Sequence, residues 1–284
     1  MKSLMRLAFI FAITSFISVF GEQNKARIKR LISLSLGLIN VSDEQVSLKN
    51  GNTLTFHCLN DLTRWRVKTF FEKEPETLEW IDGFERNDVF WDIGANMGLY
   101  TVYAASRGAR VSAFEPSGAN FYALNMSILK NNFSDVATAY CIAFSDQEKL
   151  GNLMMNNFEF GGALSSFDSN VGYDGKKFIP NVRQGMIGYS IDKYISLFQT
   201  SFPNHIKIDV DGIEDKIIAG APLTLADPRL KSLSVELDAD RPKYTQSVIS
   251  NIEKAGLRLK SKRHAEIFDN TPYAGIYNYL FTRK

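Results

Sequence analysis

From residue 88 to the carboxyl terminus, short apolar runs alternate with segments of helical periodicity, and this alternation constrains the fold of the 284-residue chain most strongly. The apolar runs predict strands at 88–93, 109–114, 136–144, 206–210, 232–237, 257–260 and 276–281. Helices are predicted at 98–107, 117–130, 190–199, 213–220 and 244–255. Strands separated by helices indicate a parallel sheet with helices on both faces. No helical pattern separates the last two runs, so we predict that they form an antiparallel hairpin.

Two segments lie outside this alternation. Residues 45–58 alternate apolar and polar residues around an Asn-Gly pair at 50–51, which predicts a hairpin, and 75–82 reads as a helix with Pro75 in its first turn. Residues 150–188 read as an irregular insert rich in glycine and aromatic residues. Long irregular segments are often functional, so this insert either covers the site where a substrate binds or packs against the protein as a flap.

The composition excludes several classes of protein. Lys plus Arg number 33 and Asp plus Glu number 31, a balance that excludes a disordered polyelectrolyte and gives no support to a nucleic-acid partner. Two cysteines, Cys58 and Cys141, exclude a disulfide scaffold and a four-thiolate zinc site. With three histidines and no H-E-x-x-H motif, a histidine-rich metal site is excluded too.

The near-neutral total hides a basic leader. Residues 1–40 carry six basic residues and one acid, and within them 7–21 are uncharged and mostly apolar. That run is short for a membrane span and long for a signal-peptide core. Residues 25–39 resemble a basic amphipathic helix, which can lie on a membrane surface. A signal, an anchor and a helix docked on the main domain all remain open.

The most informative motif is the glycine loop Asp92-Ile-Gly94-Ala-Asn96-Met-Gly98, which follows the first apolar strand. Glycines permit a sharp turn and a close approach by a ligand, and loops at this position form the carboxyl edge of an open α/β sheet. The spacing is not that of the G-x-G-x-x-G dinucleotide fingerprint, and Asp92 would repel a pyrophosphate. A nucleotide-dependent oxidoreductase is therefore the weaker alternative.

Glu115 follows the next strand, 21 residues after Gly94. In nucleotide-binding βαβ units an acid at this spacing accepts hydrogen bonds from ribose hydroxyls. Two carboxylates around a glycine turn suit an adenosine-bearing ligand without phosphates, and S-adenosylmethionine is such a ligand.

In its glycine loop, in the segment around Glu115 and in the run at 206–214, the chain resembles the FkbM-type S-adenosylmethionine-dependent methyltransferases. The resemblance covers about residues 45–284 and is carried by the segments 73–80, 90–100, 114–116 and 206–214. The glycine loop alone would indicate only class I methyltransferases in general. The run Ile-Lys-Ile-Asp-Val-x-Gly-x-Glu at 206–214 narrows the resemblance to the FkbM family. One departure is Asp211, where the family usually has Glu.

The resemblance implies a Rossmann-like class I methyltransferase fold, with a seven-stranded, mostly parallel sheet and an antiparallel last strand. It implies methyl transfer from S-adenosylmethionine, commonly to a hydroxyl of a saccharide or secondary metabolite. The expected organisation is a leader at 1–40, a hairpin and helix at 41–87, and a methyltransferase domain at 88–284. The alternative is a non-catalytic or membrane-associated S-adenosylmethionine-binding module.

The resemblance also implies a set of cofactor-binding residues. Glu115 is expected to bind the ribose, the glycine loop the methionine part, and Asp146 the adenine, although Ser145 or the backbone of Phe144 could serve instead. The full set is Asp92, Gly94, Ala95, Asn96, Gly98, Glu115, Pro116 and Asp146.

Catalytic residues are expected at the carboxyl ends of the strands, because a hydroxyl acceptor gains from a base that takes its proton. Asp209, Asp211 and Glu214 are the predicted set, and Glu236 lies late in the next strand. His205 precedes its strand, so we expect it at the opposite edge of the sheet. The three carboxylates could instead hold a divalent cation, pair with Lys207 or interact with a helix dipole. We predict no metal.

The expected partner is a small-molecule or glycan acceptor, with peripheral membrane contact through residues 1–40. Because S-adenosylmethionine is made in the cytosol, we expect a cytoplasmic protein whose leader is a docking helix or touches the cytosolic face of a membrane.

Overall fold

The structure, a computed structural model, describes residues 41–283, and the leader predicted at 1–40 lies outside the described residues. Nearly all of the described residues belong to one compact unit, Asp43–Lys284. Within this part of the chain, every helix is too short or too polar to span a lipid bilayer.

The segment before the main sheet forms the predicted hairpin and a set of short helices. Strands β1 (Ser42–Ser47) and β2 (Thr53–Cys58) make a two-stranded sheet, and helices α1 (Asp61–Lys68), α2 (Phe70–Lys73) and α3 (Pro75–Asp82) follow. Pro75 occupies the first turn of α3, where its missing N–H costs nothing.

The remaining elements alternate between strands and helices over most of their length. In chain order they are β3 (Val89–Ile93), α4 (Leu99–Ser106), β4 (Arg110–Phe114), α5 (Gly118–Lys130), β5 (Ala137–Tyr140), β6 (Ala143–Phe144), β7 (Lys149–Met155), β8 (Ser165–Phe167), β9 (Val182–Tyr189), α6 (Ile191–Phe198), β10 (His205–Ile208), α7 (Glu214–Ala219), α8 (Pro222–Ala226), β11 (Ser232–Asp238), α9 (Pro242–Lys254), β12 (Arg258–Arg263), a 3₁₀ helix (Glu266–Phe268) and β13 (Ile276–Thr282).

The main sheet has seven strands in the order β12-β13-β11-β10-β3-β4-β5. The pairs β11–β10, β10–β3, β3–β4 and β4–β5 are parallel, whereas β13 runs antiparallel to both of its neighbours. The predicted fold class, including the antiparallel last strand, is confirmed. The carboxyl ends of the parallel strands, and the loops that follow them, meet along one edge of this sheet.

The insert at 150–188 is more regular than predicted. Strands β6, β9, β7 and β8 form a second sheet in that order, and β7 pairs with β9 along its whole length. Glycines hide this pairing in the sequence, because they lower strand propensity and interrupt the alternation. At Gly188 a Cβ would lie 2.2 Å from the ring of Phe167, so glycine leaves the space that this aromatic fills.

The two faces of the main sheet differ in chemistry. One face is apolar and carries Trp91, Ile206 and Leu233. On the other face the register places Lys207 beside Asp92 of β3 and Glu236 beside Asn278 of β13. This polar row leads to the carboxyl edge of the sheet.

Candidate active site

The glycine loop between β3 and α4 is a tight turn fastened to the neighbouring strands. Gly94 has a φ of +86°, and a Cβ at this position would lie 1.8 Å from the backbone oxygen of Asp209, so only glycine fits. The amides of Gly94 and Ala95 both donate to the carbonyl of Phe114, at 2.9 and 3.1 Å. The loop therefore brings the ends of three strands into contact.

Glu115 is a buried acid, 5% exposed, beside this loop. Its Oε2 accepts a hydrogen bond from the amide of Asn96 and its Oε1 one from the amide of Ser117, both at 2.8 Å. Burial outweighs these bonds and raises the pKa of Glu115 to about 7. Each carboxylate oxygen retains a further lone pair for a hydroxyl donor.

A cavity of about 430 Å³ opens between the loop and Glu115, within the size range of small-molecule sites. Its walls include Gly94, Ala95, Asn96, Glu115 and Pro116 from the predicted cofactor set. Past Glu115 the wall becomes apolar through Ile142, Ala143 and Phe144. Of these, only Phe144 was predicted, as an alternative adenine contact through its backbone.

Three other members of the predicted cofactor set do not line this cavity. Asp92 is 1% exposed and accepts a hydrogen bond from Thr101 Oγ1 at 2.6 Å, so it braces the start of α4. Gly98, with a φ of +88°, precedes α4. Asp146 is exposed and accepts a hydrogen bond from Ser145 Oγ.

The insert is hydrogen-bonded to the glycine loop and to α1. Asn96 Nδ2 donates to the carbonyl of Gly162 at 2.9 Å, and Arg66 Nε donates to that of Gly161 at 2.8 Å. Asn120 contributes both a donor and an acceptor to the same two glycines. The insert thus forms one wall of the cavity, with Tyr173 further along that wall.

The polar row ends in a buried network around Lys207, which is 1% exposed. Its Nζ lies 2.5 Å from Asp209 Oδ2 and 3.5 Å from Glu74 Oε2. Burial alone would lower the pKa of Lys207, but Asp209 and Glu74 raise it above its ordinary value. Lys207 therefore carries a buried positive charge that fixes the position of Asp209.

Glu74, which was not predicted, joins this network from the turn before α3. Its Oε1 lies 2.9 Å from Lys73 Nζ, and its Oε2 accepts a hydrogen bond from Thr77 Oγ1 at 3.0 Å. Burial opposes ionisation, yet Lys207 and Lys73 hold the pKa of Glu74 below its ordinary value. The resemblance had included 73–80 without giving this residue a role.

Two of the three predicted catalytic acids lie together at the cavity. Asp209 and Asp211 both line it, and Asp211 Oδ2 accepts a hydrogen bond from the amide of Ser165 at 2.9 Å. Burial raises the pKa of Asp211 to about 6. Glu214 does not line the cavity: its carboxylate accepts hydrogen bonds from the amide of Gly212 and from Tyr244 Oη, which places it in the start of α7.

Glu236 also lines the cavity, and it makes no hydrogen bond or ion pair with the part of the chain that the structure describes. Burial, followed by repulsion from Asp209 and Glu74, raises its pKa well above the ordinary value. One oxygen from each of Glu74, Asp209 and Glu236 lies within 4.8 Å of the others. Oxygen ligands of this kind suit hard divalent cations, but the ammonium of Lys207 already lies against two of the three.

His205 lies at the amino edge of the sheet, as its position before the strand predicted. Its Nδ1 is 2.6 Å from Ser232 Oγ and its Nε2 is 2.9 Å from Asp88 Oδ2. Burial lowers the pKa of His205. It does not line the cavity beside Glu115, so it is not a base for chemistry there.

An open α/β sheet with a glycine loop and a ribose-type acid at its carboxyl edge defines a Rossmann-like, nucleoside-binding enzyme. The family model described as "Methyltransferase FkbM domain" matches residues 92–259, so the chain belongs to the FkbM methyltransferase family. The predicted family is confirmed, and with it the prediction of S-adenosylmethionine as the cofactor.

Solved structures of other methyltransferases are similar in fold. Magnesium protoporphyrin IX methyltransferase from Synechocystis PCC 6803, with bound SAM, is 11% identical over 79% of this chain and 85% of its own, with a TM-score of 0.47. TYW2 from P. horikoshii, in complex with MeSAdo, is 12% identical over 85% and 70%, with a TM-score of 0.45. Fibrillarin from Aeropyrum pernix, with bound S-adenosyl-L-methionine, is 11% identical over 85% and 97%, with a TM-score of 0.44. No curated protein matches this chain.

Proposed function

We propose that this enzyme transfers a methyl group from S-adenosylmethionine to a hydroxyl of a saccharide or secondary metabolite. One observation carries the proposal. A single cavity joins Glu115 and the glycine loop to Asp209, which Lys207 holds in place. The first part suits an adenosine ligand and the second suits an acceptor whose hydroxyl loses a proton.

The residues present fit the cofactor. Glu115 offers a buried carboxylate to ribose hydroxyls, and Ile142, Ala143 and Phe144 offer an apolar wall to a purine. Gly94 leaves the loop backbone open to close approach. When bound, S-adenosylmethionine supplies an activated methyl group on a sulfonium, so the protein mainly aligns the acceptor with it.

On the acceptor side, Asp209 is the residue we assign to the hydroxyl proton. Its Oδ2 is held by Lys207, while its Oδ1 accepts no hydrogen bond from the described residues. A carboxylate fixed in this way can accept a hydroxyl proton without losing its orientation. Asp211, on the same loop, bounds the cavity and ties the insert to this loop through Ser165.

Aromatic residues line the acceptor side of the cavity and support a saccharide acceptor. Trp65, Tyr173 and Tyr273 all line it, and the rings of Tyr173 and Tyr273 are 5.6 Å apart. Aromatic faces offer apolar platforms with polar rims, which suit the alternating faces of a sugar ring. A cytoplasmic location and a membrane contact through residues 1–40 remain part of the proposal. The first rests on the cytosolic supply of S-adenosylmethionine, and the second on the basic leader.

Calorimetry with the full chain tests the proposal. We expect S-adenosylmethionine and S-adenosylhomocysteine to bind, and Glu115→Gln to weaken both about 10- to 100-fold, the size expected for hydrogen bonds to a charged group. The exposed Glu148→Gln serves as the matched control. Wild-type chain that binds neither compound would refute the proposal. With labelled S-adenosylmethionine, mass spectrometry of the product then shows whether the methyl group is on oxygen.

A further inference from the structure

Three residues on the acceptor side of the cavity present oxygens that accept no hydrogen bond from the described residues. The buried oxygens Glu76 Oε2 and Asn278 Oδ1 are two of these acceptors, and the third is the carboxylate of Glu236, which is half-buried and borders the cavity. The three lie together, because Asn278 pairs with Glu236 in the sheet and its Nδ2 donates to Glu76 Oε1 at 2.9 Å. We call Glu76, Glu236 and Asn278 the acceptor-oxygen triad.

The acceptor oxygens of the triad need hydrogen-bond donors, because the protein shields them from bulk water. Asn278 is 6% exposed, and a buried acceptor without a donor destabilises the fold. Native proteins rarely tolerate such groups unless a ligand or water satisfies them. Two buried acceptors and a half-buried carboxylate at one place in one cavity therefore indicate a ligand that donates several hydrogen bonds.

The acids of the triad form no ion pair with the described residues, although Lys73 and Lys207 lie near enough to favour the ionised form of Glu236. Lys207 pairs with Asp209 and Glu74, and Lys73 pairs with Glu74. The guanidinium of Arg263 forms its ion pair with Glu79 instead. Neither Glu76 nor Glu236 forms an ion pair within the described residues, so the triad favours a cationic ligand.

Distance separates the triad from the cofactor side of the cavity. Gly94 follows β3, whereas Glu236 lies on β11 and Asn278 on β13, two and three strands away. At about 4.8 Å per strand, Asn278 lies about 14 Å across the sheet from β3. The triad thus faces the acceptor and not the ribose or the glycine loop.

We propose that the triad binds a primary ammonium group, so that the methyl acceptor is an amine-bearing polyol such as an amino sugar. This inference rests on the proposed function and adds a substrate class to it. A primary ammonium carries three N–H donors and one positive charge. Its donors match the acceptor oxygens of the triad, and its charge is attracted to Glu76 and Glu236, which form no ion pair with the described residues.

Other ligand chemistries fit less well. A phosphate or carboxylate on the acceptor would be repelled by Glu76 and Glu236. A divalent cation bound by Glu74, Asp209 and Glu236 would lie next to the ammonium of Lys207. Neutral hydroxyls could donate the hydrogen bonds, but they carry no positive charge to stabilise the ionised form of Glu236, whose pKa is raised by burial and by its acidic neighbours.

Binding of an ammonium should release a proton. Glu236 faces Asp209 and Lys207 from β10, Glu74 and Lys73 from the segment before α3, and Asn278 from β13. Burial and the two acids favour its protonated form. A cation that arrives beside it favours the ionised form, so the proton leaves as the ligand binds.

The test uses the full chain saturated with S-adenosylhomocysteine at pH 6.5. D-glucosamine, its neutral counterpart D-glucose and its anionic counterpart D-glucuronate are titrated in two buffers of different ionisation enthalpy. We expect D-glucosamine to bind about tenfold or more tightly than D-glucose, D-glucuronate to bind weakest, and only D-glucosamine to release a proton. Glu236→Gln and Glu76→Gln should remove the preference, while the control Glu148→Gln should keep it.

Equal affinity for D-glucosamine and D-glucose would overturn the inference and leave the proposed function intact. Two other results would also reject it. The first is Mg²⁺ binding that Glu236→Gln abolishes, which would assign the oxygens to a metal. The second is a loss of S-adenosylhomocysteine affinity in Glu236→Gln, which would assign them to the amino-acid end of the cofactor. Failure of the wild type to bind S-adenosylhomocysteine counts against the proposed function instead.

Discussion

On one face of the main sheet, the polar side chains at the amino edge have hydrogen-bond partners, whereas several polar groups at the carboxyl edge have none. At the amino edge, His205 contacts Ser232 and Asp88 through its two ring nitrogens, and Trp80 Nε1 donates to Ser232 Oγ at 2.8 Å. At the carboxyl edge, the buried oxygens Glu76 Oε2 and Asn278 Oδ1 have no donor within the described residues, and the half-buried Glu236 borders the cavity. Partnered polar groups stabilise the fold, whereas an unpartnered group in the wall of a cavity needs a hydrogen-bond donor from a ligand or from water.

Cavity size alone would not separate the two edges. A cavity of about 680 Å³ borders His205 and Ser232, larger than the one of about 430 Å³ beside Glu115. The smaller cavity contains the glycine loop, the ribose-type acid and the free oxygens. The residues that border this cavity, and not its volume, are the reason why we propose it as the site.

The largest expected effect comes from removing the charge that links the polar row. Lys207→Met leaves the buried Glu74 and the partly exposed Asp209 without their shared cation. Breaking a buried ion pair costs about 3–5 kcal/mol, and we expect the lower end of that range because Lys73 still pairs with Glu74. Urea denaturation measures the change in the free energy of unfolding. The exposed Lys193→Met should stay within about 0.5 kcal/mol of wild type. If Lys207→Met lowered the free energy of unfolding as little as this control does, the ion pairs of Lys207 would not stabilise the fold.

A second prediction uses pH, because the two edges should respond with opposite sign. Burial raises the pKa of Glu115 from 4.5 to about 7, so the stability it contributes is present below pH 4.5 and is lost as the pH rises to 7. Burial lowers the pKa of His205 from 6.5, so its contribution is present above pH 6.5 and is lost as the pH falls.

The measurement compares variants at matched pH values without cofactor. Relative to Glu115→Gln, wild type should lose at most about 3 kcal/mol of unfolding free energy between pH 4.5 and 7. Relative to His205→Gln, wild type should instead gain stability from pH 5 to 7. Slopes of the same sign would show that the two edges are not electrostatically different.

Sequence patterns predicted those features of the enzyme that are formed by residues close together along the chain. The strand and helix alternation, the glycine loop and Glu115 follow from local pattern and spacing, and the structure places them as expected. Glu74 and Asn278 could not be found in this way, because the first precedes the sheet and the second lies on its last strand, 202 positions after Glu76. Only the strand order β3-β10-β11-β13 brings Asn278 to the same edge as Asp209.

The smallest expected effects provide the most direct comparison of the edges. Ser232→Ala leaves His205 Nδ1 and Trp80 Nε1 without partners, and an unsatisfied buried polar group costs about 1–3 kcal/mol. Glu236→Gln removes a half-buried acid that forms no hydrogen bond or ion pair with the described residues, so the unfolding free energy at pH 7 should be unchanged or higher. Because the Ser232 network does not line the cavity beside Glu115, Ser232→Ala should keep wild-type affinity for S-adenosylhomocysteine. Calorimetry with that compound, beside urea denaturation of both variants, therefore separates stability from binding. If Glu236→Gln were as destabilising as Ser232→Ala, the oxygens at the carboxyl edge would be structural, and the contrast between the two edges would not hold.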